Sequence, residues 1–207
     1  MMARLGGSAS AAMMVFLAMT GCSRSVPMTK GPGIAPDAVA RNAVQQYDSK
    51  HLGHLDAEES RKSPAIMALR VELGLGPDAP LNEEQIAERA RKWLQSRNPR
   101  LVPIVTVDLD GQPLDGATVT FQPEECMGPD YHPASATTVG QGQCVVSGDD
   151  PATPGLYLGL YRIQVSKVAN GRETLPERYN SRTELGVEVG PSLARRRGTL
   201  PLHLKSR

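Results

Sequence analysis

Three acidic side chains, Asp48, Asp56 and Glu59, lie within twelve residues of one another with Gly53 between them. Oxygen donors spaced around a glycine turn are what a hard cation such as calcium requires. Lys50 stands inside the same segment, and its ammonium both repels a cation and removes a ligand position. A second cluster, Leu175-Pro176-Glu177-Arg178-Tyr179-Asn180, puts a carboxylate, guanidinium, phenol and amide into one connection. Tyr179 and Asn180 are its candidate binding residues. The competing reading is a corner in which Tyr179 packs, its hydroxyl meets the backbone, and Asn180 makes the turn. The chain has no nucleophile elbow, Gly-rich phosphate loop or His-Glu-x-x-His helix. Asp130, His132 and Ser135 are too close together in one loop to present nucleophile, base and orienter, so no catalytic activity is expected.

The run from Met1 to Gly21 carries one charge, Arg4, and no acid, and it closes on Met19-Thr20-Gly21-Cys22. Its apolar core, Ala9 to Ala18, is shorter than the about 20 residues a membrane-spanning helix needs. The run resembles a bacterial lipoprotein signal ending in a lipobox; an ordinary cleaved signal and an uncleaved anchor helix are the competing readings. The lipoprotein reading implies that Cys22 carries the lipid and that the chain is held outside the cytoplasm. Ser23 in place of aspartate points to the outer membrane and periplasm. Two or more acyl chains, at about 0.8 kcal/mol per buried methylene, anchor stably. Removing residues 1–21 leaves 22 basic and 22 acidic side chains, a balance that gives nucleic acid no electrostatic hold. The run Arg195-Arg196-Arg197 has no aromatic residues interleaved with it and reads as a solvated loop.

With Cys22 acylated, two thiols remain. Cys126 and Cys144 enclose 17 residues, and a disulfide between them would contribute about 3 kcal/mol by chain entropy. An oxidising compartment favours that bridge, although the separation of the two Cα atoms cannot be read from sequence. A metal set of Cys126, Asp130 and His132 is the alternative, without the Cys-x-x-Cys spacing of zinc sites.

The elements that must position these groups fall into three segments after the leader: a Pro/Gly-bearing tether (22–36), a helical region (37–100) and a β-rich remainder (101–207). Val39, Ala43, Val44 and Tyr47 recur at helical spacing after Pro36-Asp37. A second helix runs from Pro64 to Leu73. A third begins after Asn82, with Gln85 as capping-box partner and Ile86, Ala90, Trp93 and Leu94 as its apolar stripe. From Val102 the period changes to two, giving strands at 104–109, 117–121, 134–139, 143–147, 157–167, 185–189 and 199–205. Short strands with no intervening helices predict a mainly β fold, an antiparallel sandwich. Pro103 and Pro201 predict that their strands lie at edges.

Two family resemblances add to this reading. The segment from Asp48 to Glu59 resembles an EF-hand loop: Asp48, Gly53, Leu55, Asp56 and Glu59 match loop positions 1, 6, 8, 9 and 12, while Lys50 and Leu52 depart from it at positions 3 and 5. A second such loop runs from Gly74 to Gln85, with Asp78 and with Leu81 at position 8. Both look like degenerate helix–loop–helix units, and calcium is the one cofactor they imply. From Val102 to Lys205 the chain resembles the carboxypeptidase regulatory-like, transthyretin-like domains of bacterial envelope lipoproteins. That resemblance rests on Val107-Asp108-Leu109-Asp110-Gly111-Gln112-Pro113-Leu114-Asp115-Gly116-Ala117-Thr118-Val119-Thr120-Phe121, the turn Gly140-Gln141-Gly142, and Pro154-Gly155-Leu156-Tyr157 with Gly159-Leu160-Tyr161-Arg162-Ile163. It implies a transthyretin-like or Ig-like sandwich that serves as a non-catalytic scaffold. Its partners would be the membrane, through the anchor, and an envelope protein or polysaccharide; calcium-responsive binding is the alternative.

Overall fold

The structure is a computed structural model, and it describes residues 31–148 and 153–207. The expected leader and Cys22 lie outside the described residues. Helix α1 (Pro36–Tyr47) starts with Pro at its first turn, where a missing N–H costs nothing, and buries Val39, Ala40, Ala43, Val44 and Tyr47. A two-residue strand β1 (His54–Leu55), a short helix α2 (Ala57–Ser60) and helix α3 (Pro64–Glu72) follow. Ser63 caps α3 by accepting a hydrogen bond from Ile66 N–H. Strand β2 (Leu81–Asn82) leads into α4 (Glu83–Leu94), whose capping box joins Asn82 and Gln85 as the sequence predicts.

The β-rich part opens with β3 (Arg100–Leu101), β4 (Ile104–Leu109), β5 (Gln112–Pro113), β6 (Thr118–Pro123), β7 (Ala134–Thr137) and β8 (Gln143–Val145). It continues with β9 (Leu156–Tyr157), β10 (Gly159–Ser166), the hairpin β11 (Val168–Ala169) and β12 (Arg172–Glu173), then β13 (Leu185–Val189), helix α5 (Pro191–Arg195) and β14 (Thr199–Leu204). Four strands form one antiparallel sheet in the order β13-β10-β6-β7. In the second sheet β14 flanks β4 on one side, while β8 and β5 pair with successive stretches of β4 on the other.

The arrangement is mainly antiparallel and compatible with a β-sandwich, but it is not wholly antiparallel: β14 pairs with β4 in parallel, from Thr199 opposite Ile104 to Leu204 opposite Leu109. A parallel partner needs a long crossover, and here the entire first sheet lies in sequence between the two strands. Pro201 lies on the edge strand β14, as expected. The expectation for Pro103 fails, because β4 is central; the proline precedes the strand and takes part only through its carbonyl, which accepts Val146 N–H. The basic run is exposed, as expected, with one difference in its start. Arg195 ends the short helix α5, and Arg197 adopts a left-handed φ of 54° in the turn beyond it.

Alternation along the strands shows which face meets what. On β6, Val119 and Phe121 are buried while Thr118 and Gln122 are exposed. Tyr161, Ile163 and Val165 of β10 pair in register with Pro123, Phe121 and Val119, so they share that inner face. Phe121 and Tyr161 meet edge to face at 6.1 Å. The opposite face of β10 and β13 carries Leu160, Arg162, Gly186 and Glu188, again in register. The helices cover this face, so the molecule has three layers: helices, first sheet and second sheet. Buried residues from all three belong to one hydrophobic core.

Helix α3 lies close against the first sheet at Gly186. A Cβ there would lie 2.1 Å from the carbonyl carbon of Pro64 and 2.3 Å from Ala65 N, both backbone atoms at the start of α3. Neither can yield without moving the helix. Gly186→Ala is therefore expected to destabilise the fold by about 1–3 kcal/mol, with the midpoint of urea unfolding moving down accordingly. An unchanged midpoint would mean that α3 does not sit against this strand.

Candidate functional site

The loop between α1 and α2 gathers the three carboxylates that the sequence singles out. Asp48 accepts hydrogen bonds from Leu52 N–H at 3.0 Å and Gly53 N–H at 2.7 Å. Partial burial disfavours its charged form, yet the backbone donors prevail and hold its carboxyl below the usual aspartate value. Asp56 caps α2, accepting Glu59 N–H at 2.8 Å, and Glu59 returns the bond by accepting Asp56 N–H at 3.2 Å. Glu59 also accepts from Lys50 N–H at 3.0 Å and from Ser49 Oγ at 3.3 Å. Burial works against its ionisation, and these backbone donors overcome it, so its carboxyl is also held low. The loop's glycine, Gly53, takes a φ of 74° that a side chain would resist.

Lys50 decides the chemistry of this loop. Its Nζ lies 2.5 Å from Asp56 Oδ2 and 3.0 Å from Glu58 Oε2, supplying from within the chain the positive charge that a cation would bring. The hydrogen bond from Lys50 is the main reason the Asp56 carboxyl is held at about 2, and the same pair of carboxylates raises the lysine above its ordinary range. Among the described residues no group of three or more His, Cys, Asp or Glu side chains is placed to hold a metal ion. The loop is tied to the segment before α4 by a two-residue antiparallel ribbon, with Leu55 opposite Leu81 and both fully buried.

Of the other sequence candidates, Tyr179 and Asn180 form the corner rather than a ligand surface. Tyr179 is buried, its hydroxyl accepts Lys205 N–H at 2.8 Å, and the Arg178 guanidinium stacks 5.0 Å from its ring. Asn180 donates through Nδ2 to the carbonyls of Leu175 and Pro176 and accepts Ser181 N–H at 2.7 Å. Cys126 and Cys144 are free, and the expected bridge is not formed. Cys126 sits in the turn after β6, in a crevice with Ile34, Ala38 and Val39 on the helical side. Cys144 pairs with Val105 in the second sheet. Burial pushes Cys126 up to about 12 and Cys144 up to about 11, leaving both protonated and unreactive. Asp130 accepts Gly33 N–H at 2.8 Å and Ser135 Oγ pairs with Thr120 Oγ1 at 2.8 Å, and among the described residues no hydrogen bond joins either to His132.

The most heavily engaged polar groups are ones that sequence reasoning missed. Glu124, just past the end of β6, has no exposed side-chain surface. Its carboxylate accepts from Tyr47 Oη at 2.8 Å, from Ser63 Oγ, and from Arg162 Nε and Nη2 at 2.9 and 3.0 Å. Arg162 Nη2 also donates to Tyr47 Oη at 2.8 Å, closing the ring of contacts. Burial, reinforced by the Glu124 charge, pushes the Tyr47 phenol far above its ordinary range. Some distance along the same sheet face, Glu188 accepts a forked pair from Arg89 at 2.7 and 2.8 Å and the indole N–H of Trp93 at 2.7 Å. The only sequence trace of these groups is a polar residue at alternate strand positions, which reads as solvent-facing.

Beside the Glu124 network lies a cleft of about 620 Å³. One wall is the turn between α2 and α3 with Arg61 and Lys62, the floor is β10 with Arg162 and Gln164, and the other wall is the segment Ser181, Arg182, Thr183 and Glu184. The segment is held down on the sheet by Thr183 Oγ1, which donates to the Ile163 carbonyl.

Two measurements test this geometry. Glu124→Gln leaves Arg162, about a third of whose side chain is open to the cleft, without its charge partner, and a loss of about 1–3 kcal/mol in unfolding free energy is expected. A loss under about 0.5 kcal/mol, the range of an ordinary surface change, would show that the network does not hold the layers together. Second, Asp56 ionises at a lower pH in the folded chain than the about 4 of an unfolded aspartate. Its charged form contributes stability above about pH 4, and that contribution disappears as pH falls through about 2. Titration of the Asp56 carboxyl by NMR should give a midpoint near the lower value in the native chain and a clearly higher one in Lys50→Met, still below an ordinary aspartate because the Glu59 N–H bond remains; equal midpoints would remove Lys50 as the main cause. Comparison of the chain with family models, with curated proteins and with solved structures yields no significant match.

Proposed function

We propose that this protein is a non-catalytic, lipid-anchored component of a bacterial cell envelope. In this reading its β-rich body serves as a structural or binding module held away from the membrane by residues 22–36. The observation that carries the non-catalytic part is the disposition of the reactive side chains. Both thiols are buried and protonated, Tyr179 and Asn180 are consumed by a corner, and Asp130 and Ser135 are engaged apart from His132. The anchoring part rests on the sequence ending Met19-Thr20-Gly21-Cys22, and no described helix is long and apolar enough to cross a membrane. The partner class proposed for this β-rich body is an envelope protein or polysaccharide.

The helical region is read as a degenerate EF-hand-like pair. The support is the short ribbon that sets Leu55 opposite Leu81, the two residues at loop position 8, and the glycine turn at Gly53. Calcium-responsive binding through Asp48, Asp56 and Glu59 is the weaker alternative, since Lys50 already pairs with Asp56 and Glu58 and backbone N–H groups already occupy Asp48 and Glu59. The β-rich part is read as a transthyretin-like sandwich, supported by its two sheets and by the Gly140-Gln141-Gly142 turn, where all three residues have positive φ.

Metabolic labelling with a radioactive fatty acid tests the anchor. Label is expected in the native protein and absent from Cys22→Ser, which should also leave the membrane fraction. A native protein that takes up no label would overturn the lipoprotein reading.

A further inference from the structure

We infer that the cleft between the α2–α3 turn and the 181–184 segment is a binding site for a phosphate-class oxyanion. This names a ligand for the binding role proposed above, and so rests on that reading. Four cations line the cleft, Arg61, Lys62, Arg162 and Arg182, against one carboxylate, Glu184. Their charges are not equally spent. Arg162 is balanced by Glu124, and Arg182 touches Glu177 only at 3.4 Å with both side chains largely in solvent. Lys62 donates to two neutral acceptors, the Tyr47 carbonyl at 3.3 Å and Ser49 Oγ at 2.7 Å, and keeps its full charge. The Arg61 guanidinium has no hydrogen-bond or ion-pair partner among the described residues.

The cations also approach from different directions, two from the helical turn, one from the strand floor and one from the facing segment. Arg162 is held in place by its Nε and Nη2 bonds to Glu124 and Tyr47, and its Nη1 has no acceptor among the described residues. A floor donor fixed by a buried partner loses little freedom when it binds, which favours recognition over a merely charged surface. A carboxylate is a planar fork that one guanidinium can satisfy, whereas a phosphate ester offers three acceptor oxygens to donors from several sides. The cleft's volume falls within the range of small-molecule sites, leaving room for the organic group that bears the phosphate. Gln164 and Thr183 on its lining offer neutral polar contacts to that group.

The test is calorimetric titration of the detergent-solubilised full-length protein with inorganic phosphate, against chloride at equal ionic strength. Saturable binding is expected, weakened about tenfold or more in Arg61→Ala/Lys62→Ala and strengthened in Glu184→Gln. These substitutions lie on exposed positions, and circular dichroism checks that each variant is folded; Glu184→Gln remains informative if the double variant is not. No saturable binding, or binding equal in the native protein and all variants, overturns the assignment. A second arm adds vesicles containing phosphatidic acid: competition with phosphate assigns the anion to a lipid headgroup, and failure to compete assigns it to a water-soluble ester. Loss of phosphate binding in these variants leaves fatty-acid labelling at Cys22 untouched, so failure of the cleft and failure of the anchor are separately visible.

Discussion

A carboxylate sealed from water, that of Glu124, is the constraint around which the layers are arranged. A charge in that position is tolerated only when it is paired and its lone pairs are filled, because the desolvation penalty otherwise runs to several kcal/mol. The partners come from three separate elements: Arg162 from the middle strand of the first sheet, Tyr47 from the last turn of α1, and Ser63 from the cap of α3. Ser63 serves twice, since its hydroxyl donates to Glu124 while accepting Ile66 N–H at 3.1 Å, so the start of α3 and the neutralisation of a buried charge are one arrangement. Sliding either helix along the sheet would strand the carboxylate. Glu188, gripping Arg89 and Trp93 of α4, repeats the device further along the same face, so the helical layer is pinned at two points and cannot pivot about one.

The same logic of internal compensation governs the loop between α1 and α2. Carboxylates collected around a glycine turn repel one another unless something positive joins them. In this chain that charge is the ammonium of Lys50, covalently present at all times, so the loop and the α2 cap it supports do not wait on an external ion. A permanently closed loop fixes the start of α2, and through that short helix it positions the turn bearing Arg61 and Lys62. The basic cleft is thus bordered on one side by a rigid loop and floored by an arginine that Glu124 holds in place. Its geometry derives from the two neutralised clusters and needs no flexible element.

How much of this could be read in advance depended on whether a residue's role is local. The helix starts at Pro36 and Asn82 were legible because caps and first-turn prolines act over three or four residues. The strands β4, β13 and β14 were legible because alternation with period two survives any tertiary context. The turn at Gly140-Gln141-Gly142 and the buried place of Trp93 came from equally local chemistry. The short helices α2 and α5 escaped because four or five residues are too few to show a period. The parallel pairing of β14 with β4 escaped because register between strands nearly a hundred residues apart leaves no trace in either strand.

By itself the sequence determined the succession of helices and then strands, an apolar N-terminal run that reaches Cys22, the presence of Lys50 where a cation's ligand would stand, and a near-even balance of charge. Only the tertiary structure decided that the helices form a layer on the first sheet, that Cys126 and Cys144 stay unpaired in the interior, and that Tyr179 is spent in a corner. It also decided that Glu124 and Glu188 are interior and that Arg162 and Arg89 are turned onto them. A polar residue at every second strand position looks solvent-facing in one dimension, and whether water or a helix covers that face is set by contacts between residues 38 to 115 positions apart. Such separations carry no local signature, because the energy that fixes them is the desolvation of a charge that becomes buried only once the whole chain has folded.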